Sequence, residues 1–465
     1  MTRDEAIHKA VVASALGNAT EWFDYGVFTS GAIASIIGDQ FFPGHENQVL
    51  KSLALVAIGF LVRPFGGLFF GPLGDKFGRR RVLAATILIM SSCTFLVGLL
   101  PGYDAIGPAA PILLLALRLI QGFSTGGEYG GAATFIAEYA PTKRRGFFGS
   151  FLELGTLTGY VAGNGLVLAI SLSVGDQGLR DWAWRIPFLL ALPLGAIGLY
   201  LRTRLEDTPT FQRAEARGET PDTVPIKETV IDNWRRLLEL IGIVFLLNVA
   251  DYMLLTTMPS YFTEHLHVAP NTSLTIMIGV EMAQMALIVP LGALSDRWGR
   301  KPFLLAAAIG MILFSYPAIR LTQSGTVPGL AGGLGIMALL LVLMLAVIGS
   351  TFPAMFPTRI RYGSFAIGYN LSTSMFGGTC GVLTEMLINK TGDPDWPAYY
   401  LIFAGLVALL PIAQLRETAR VPISVIDREH DAQRQEKDDG IQAVRPIGPQ
   451  GASPELRHGD LRRNQ

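Results

Sequence analysis

The chain has 465 residues, 50% of them hydrophobic and only 16% charged, and its 37 basic residues balance 37 acidic ones. A soluble domain carries roughly a quarter charged residues, so this composition argues against an ordinary soluble protein. A net charge of zero also gives no electrostatic basis for a nucleic-acid partner.

The apolar residues fall into twelve blocks, near 10–37, 50–74, 82–101, 111–140, 146–174, 184–202, 238–263, 272–294, 302–321, 328–352, 362–388 and 397–415. A helix needs about 20 mostly apolar residues to cross a bilayer, so an all-α membrane protein with twelve transmembrane helices is predicted. The 52 glycines suit helices that pack closely in lipid. Residues 1–202 are expected to form one six-helix bundle, 203–237 a polar middle loop and 238–415 a second bundle. Residues 416–465 read as a charged tail with no sustained heptads, expected to be disordered. Cys93 and Cys380 lie in separate apolar blocks and read as small buried hydrophobes, not as a disulfide.

The first block is longer than the roughly 7–15-residue core of a signal peptide and contains Glu21 and Asp24, so it reads as a membrane helix. A charge at the bilayer centre costs at least about 2.5–3.5 kcal/mol, and one retained there lines a cavity or finds a partner. Asn18, Glu21 and Tyr25 share a face at helical spacing, Asp24 overlaps it and Trp22 flanks it. Glu21 or Asp24 is expected to bind a proton or substrate; the alternative is a structural bond to Asn18 or a neighbouring helix. In the second block Arg63 either faces a cavity or neutralises Glu21 or Asp24.

The fourth block carries Arg118, Gln121, Thr125 and Glu128 as one stripe. Arg118 and Glu128 stand roughly 15 Å apart at 1.5 Å per residue, too far to pair. Arg118 either holds a substrate carboxylate or pairs with an acid of another helix. Glu128, set among glycines, is a candidate proton site. Gly155, Gly159 and Gly163 recur every four residues in the fifth block and predict a seam for close packing. Asp251, Glu281 and Glu385 have no basic partner within their own blocks and predict a polar cavity wall, with Asp251 joining the candidate proton sites. Among the six histidines only His265 touches a block, at its end, so proton coupling would fall to carboxylates. Trp22, Tyr25, Tyr129, Tyr252 and Tyr369, with Asn370 beside the last, could line a substrate site, since aromatic faces bind quaternary ammonium groups.

Lys and Arg concentrate in alternate loops and in the middle loop, which places those loops and both termini in the cytoplasm. Arg180 and Arg185 are the exceptions. The chain also repeats itself. GPLGDKFGRRR at Gly71 matches GALSDRWGRKP at Gly292, so that Asp75 aligns with Asp296, Gly78 with Gly299 and Arg79 with Arg300. PTKRRG at Pro141 resembles PTRIRYG at Pro357. Parallel repeats of this kind place a substrate site between two halves.

The paired GxLxDxxGRR loops and RLIQGFSTGGEYGG resemble the signatures of the major facilitator superfamily. GNATEWFDYGVF, RPFGGLFFGPLGDKFGRR, DWAWRIPF and AMFPTRIRYGSFAIGYN are similar to its metabolite:proton symporter family, and within it to the proline/betaine (osmoprotectant) symporters. The resemblance covers about residues 10–420. It implies two pseudo-symmetric six-helix bundles, transport by alternating access and an inner-membrane location. It also implies a cytoplasmic gate at Gly71, Asp75, Gly78, Arg79, Arg80, Asp296, Gly299 and Arg300, and a link between Arg118 and proton transfer. The expected function is proton-coupled symport of a zwitterionic osmolyte such as proline or glycine betaine. The alternative is an organic acid of the shikimate, 2-oxoglutarate or citrate type, but two deep cations against several acids lean to a zwitterion or monoanion. A sensor or channel would need no coupling acids. No nucleotide loop, metal cluster or G-x-S-x-G motif points to an enzyme. The expected partners are a small molecule, protons and the lipid bilayer, without metal or cofactor.

Overall fold

A backbone in hydrocarbon must satisfy its own N–H and C=O groups, and every regular element among the described residues is helical. The computed structural model describes residues 3–42, 48–77, 79–203, 230–358, 360–422 and 425. Most of the expected middle loop and tail therefore lies outside the described residues, as do Gly78 and the side chains of Asp75, Arg79, Arg80 and Glu128, with Gly71 described only as helix backbone.

Among the described residues the helices form twelve spans. The first is Arg3–Thr29 continued by Gly31–Phe41. The second to sixth are Gln48–Phe77, Arg79–Leu99, Ala109–Thr125 with Glu128–Tyr139, Arg145–Gly178 and Arg185–Thr203. The seventh joins Trp234–Tyr252 to Met258–Glu264 through a π-helical turn, Met253–Thr257. The eighth to tenth are Pro270–Trp298, Lys301–Thr322 and Val327–Thr351. The eleventh joins Arg361–Ser372 to Cys380–Thr391 through a second π turn, Thr373–Gly377, and the twelfth is Trp396–Gln414. Among the described residues, eight helices are long and apolar enough to cross a membrane. The third and sixth are shorter apolar helices.

The seventh span begins at Trp234, earlier than the apolar pattern indicates, and its first turn carries Arg235 over the Trp234 ring at 5.5 Å. The first span breaks at Ser30, whose hydroxyl donates to Val27 O and accepts from Ile33 N.

In the first half the first span packs on the fifth, the second on the fourth and the third on the sixth; in the second half the ninth packs between the tenth and twelfth. The halves meet where the fifth span faces the eighth and tenth, and where the eleventh faces the second and fourth. Cβ atoms on Gly155, Gly159 and Gly163 would meet the carbonyl oxygens of Ala15, Ala19 and Phe23, so the glycine seam of the fifth span seats the first. A Cβ on Gly122 would overlap the Gly59 carbonyl, which brings the second and fourth spans to backbone contact. Arg180 and Arg185, the two exceptions to the charge pattern, are structural ties. Arg180 pairs with Asp39 at 2.8 Å, and Arg185 donates to the carbonyls of Gly98 and Leu100 at 2.9 and 2.7 Å.

Inserting side chains at these seams should strain them. Gly122→Val and Gly155→Val are each expected to lower stability by about 1–3 kcal/mol, read as thermal unfolding in detergent. Gly165→Val, where a Cβ meets nothing within 4 Å, is expected to be neutral. Equal stability of all three would contradict the seam.

Candidate functional site

The acids of the first span lie beside arginines of two other spans. Arg63 Nη2 sits 2.9 Å from Glu21 Oε1 and 2.9 Å from the Tyr25 hydroxyl. Its guanidinium lies over the rings of Phe60, Tyr25 and Trp22, at 4.0, 5.2 and 5.9 Å from their centres. Arg118 Nη1 sits 2.7 Å from Asp24 Oδ2 and donates to Gln121 Oε1 at 2.7 Å, while Gln121 Nε2 donates to the same carboxylate oxygen at 2.5 Å. Arg118 also lies 3.7 Å over the Phe28 ring. All four charged groups are at most 3% exposed. Of the two readings open for each arginine, pairing with an acid of another helix is therefore the observed geometry.

A third cluster surrounds Glu153, a buried acid of the fifth span. Tyr129 donates to its Oε1 at 2.5 Å and Thr156 to its Oε2 at 3.0 Å. Asn18 donates to Thr156 and to Leu152 O, and accepts from the Trp22 indole at 3.2 Å, so Asn18 braces the first span against the fifth. Tyr129 stacks on Tyr369 of the second half with ring centres 4.3 Å apart.

The second half completes the wall. Tyr252 approaches Trp22 at 6.1 Å and Phe60 at 5.1 Å between ring centres. Asp251 is 7% exposed, and its Oδ1 is without a hydrogen-bond partner among the described residues, as is the Tyr252 hydroxyl. On the first-half side, Arg63 Nε and Arg118 Nε and Nη2 are likewise unpartnered donors. The site thus combines spare cationic donors, a spare carboxylate oxygen and aromatic faces. That set suits a small solute with both a carboxylate and an ammonium group.

Glu385 lies away from this wall, whereas Glu281 stands near Tyr160, whose ring packs on Trp22 at 5.6 Å between centres. Glu281 accepts from Asn164 at 3.1 Å, a bond between the halves. Glu385 has no basic partner in its own block and finds one on another span: its Oε2 lies 2.9 Å from His265 Nε2 near the opposite end of the bundle. The hydrogen bond to Glu385, opposed by partial burial, raises the proton affinity of His265 above the usual imidazole value. Asn370 donates to Gly126 O at 2.6 Å and to Ala366 O, and Tyr362 donates to Gly127 O at 3.1 Å. The bonds to Gly126 O and Gly127 O satisfy carbonyls at the break in the fourth span and tie it to the eleventh.

At the end bearing the signature loops, Asp296 accepts from the N–H groups of Gly146 and Phe147 at 2.7 and 2.9 Å. The first N–H groups of a helix have no internal partner, so an acid of the second half caps the fifth span in the first. Gly299 turns the chain at φ 95°, in the region that favours glycine. Arg300 lies 3.6 Å from Asp296 and donates to Ser350 O, Thr418 O and Thr418 Oγ1. Burial pushes the Arg300 guanidinium down to about 10, against the pull of Asp296 and Glu417. Burial also works against ionised Glu417, but N–H bonds from Arg300, Ala419 and Lys301 and the Arg300 charge hold its carboxyl below the usual range. Arg361 adds a link between the halves to Glu138 at 3.1 Å. At the opposite end Gly31 packs on Pro259 and Thr263. The halves thus touch at both ends of the bundle.

Residues 9–229 match the family described as Sugar (and other) transporter, and residues 240–458 the Major Facilitator Superfamily. The chain is 44% identical over 430 residues to a proline/betaine transporter of Escherichia coli, covering 90% of this chain and 85% of that one. It is 43% identical over the same span to a glycine betaine/proline/ectoine/pipecolic acid transporter of Dickeya dadantii, with the same coverage. The proton:xylose symporter XylE bound to 6-bromo-6-deoxy-D-glucose superposes with a TM-score of 0.70 at 17% identity, covering 92% of this chain and 99% of that chain.

Leaving one partner of a buried pair unmatched costs about 3–5 kcal/mol. Arg118→Ala is expected to destabilise by that amount in detergent unfolding, and adding Asp24→Asn should recover part of the loss. Strictly additive losses would contradict the pairing.

Proposed function

Since this chain belongs to the major facilitator superfamily and, within it, to the family of the proline/betaine transporters, we propose that it is a proton-coupled symporter of a small zwitterionic osmolyte such as proline or glycine betaine. One observation carries the substrate class. A guanidinium already lies over Phe60, Tyr25 and Trp22, so this wall is built to face a cation. A betaine or prolinium nitrogen would lie over Trp22 and Tyr252, close to the spare Oδ1 of Asp251. Its carboxylate would accept from the spare donors of Arg63 and Arg118.

Two deep arginines are already matched by two acids, Glu21 and Asp24. A polycarboxylate would bring more negative charge than the remaining donors can answer, which disfavours the organic-acid alternative. Protonation of Glu21 or Asp24 would weaken its arginine pair, and the released arginine would then hold the substrate carboxylate. Proton and substrate would in this way favour each other's binding. Asp251 and Glu128 remain in the proton-coupling proposal, Glu128 on its place in the fourth span alone. Residues 1–202 and 238–415 would rock as two bodies about this site. The bonds from Asp296 and Arg361 would break when the signature end opens. By the Lys and Arg distribution, that end and both termini would lie on the cytoplasmic side of an inner membrane.

The test is radiolabelled uptake into proteoliposomes under an inward proton gradient, with proline and glycine betaine set against shikimate and 2-oxoglutarate. Gradient-driven uptake of proline or betaine is expected. Glu21→Gln, Glu128→Gln and Asp251→Asn should each reduce it by about ten-fold or more, equivalent to ~1.4 kcal/mol, in protein that still folds. Uptake of an organic acid alone would overturn the substrate class, and full gradient-driven accumulation by all three variants would overturn the proton assignment.

A further inference from the structure

At the signature end, away from the central site, a pocket of about 460 Å³ opens between the fifth and eighth spans. Its mouth carries Lys143 and Arg144 from the first half and Arg297 and Arg420 from the second. All four side chains are exposed. No acid pairs with them among the described residues, and the one acid in the lining, Asp296, already accepts two N–H bonds at 2.7 and 2.9 Å. Arg420 Nε donates to Asp296 O at 2.9 Å, which fixes its guanidinium at the rim. Behind the cations the lining turns apolar, with Phe147, Pro290, Ala293 and Leu294. Pro290 is exposed, and the same face of the eighth span continues through Leu287, 40% exposed, deeper into the bilayer.

We infer that this mouth binds the phosphate headgroup of an anionic phospholipid, with its acyl chain lying along the apolar groove between the fifth and eighth spans. Position and chemistry both point to lipid. The cations stand at the ends of the fifth and eighth spans and just after the twelfth, where headgroups lie, and the apolar continuation faces hydrocarbon. A free phosphate would use the rim but gain nothing from the groove. Because the cations come from both halves, the bound lipid bridges them only while the signature end is closed. It therefore shifts the transport cycle toward that state by its differential affinity. Nothing in this inference depends on which substrate is carried.

The experiment uses the full-length protein in phosphatidylcholine nanodiscs with increasing phosphatidylglycerol, reading thermal stability, together with native mass spectrometry of retained lipid. Wild type is expected to retain phosphatidylglycerol and to be stabilised by it. The triple variant Lys143→Gln, Arg144→Gln, Arg297→Gln should match wild type in pure phosphatidylcholine yet need at least about ten-fold more phosphatidylglycerol for the same gain. The charge-conserving triple variant Lys143→Arg, Arg144→Lys, Arg297→Lys should respond as wild type does. If the glutamine triple variant does not fold, Arg297→Gln alone should still weaken the response. An unchanged response in the glutamine variants would overturn the site. Equal stabilisation by millimolar glycerol 1-phosphate or inorganic phosphate would overturn its assignment to lipid.

Discussion

A charge can remain inside a bilayer only if something nearby neutralises or solvates it, and the centre of this protein is arranged around that constraint. Arg63 and Arg118 answer Glu21 and Asp24, so one helix is tied to two others by buried ion pairs. These pairs hold the first half together, and they also make it responsive. Neutralising either acid would leave an arginine with donors to spare, in a site where a substrate carboxylate is the natural replacement. In the coupling proposed above, that exchange would link proton to solute, with Asp251 and Glu128 as further candidate proton sites.

The acids left over sit where the halves meet. Glu153 is held by Tyr129 and Thr156, Glu281 by Asn164 from the other half, and Asp251 keeps one oxygen without a partner. The backbone is irregular at the same level. The fourth span breaks at Gly126 and Gly127, and the seventh and eleventh each pass through a π turn just beyond Tyr252 and Asn370. Such turns recur at functional sites because they re-aim side chains. Here the carbonyls released at the break are taken up by Asn370 and Tyr362 of the opposite half, so the irregularity itself becomes an interface.

Much of this was legible in the sequence. The spans, the two-fold repeat and the deep acids follow from apolar block length, from the matched GPLGDKFGRRR and GALSDRWGRKP loops and from the cost of intramembrane charge. The family could be read from GNATEWFDYGVF and AMFPTRIRYGSFAIGYN. What could not be read was pairing across helices. Helical spacing places Glu21 and Asp24 on overlapping faces but cannot say that each faces a different arginine. Glu153 gained its importance from Tyr129, on a neighbouring span. The Glu385 partner is His265, which the sequence locates at the end of the seventh block but cannot pair with an acid of the eleventh. The strap after the twelfth span, where Glu417 and Thr418 grip Arg300, also escaped, because a charged stretch after the last span reads only as tail.

The central claim is that substrate and proton share the buried acid–arginine network. It is tested most directly by calorimetric titration of glycine betaine into the purified protein at one pH, in two buffers of different ionisation heat. The account predicts an uptake of about one proton per substrate bound, and loss of that uptake in whichever of Glu21→Gln or Asp24→Asn removes the coupling acid. Betaine binding to the wild-type protein without any exchange of protons would contradict it.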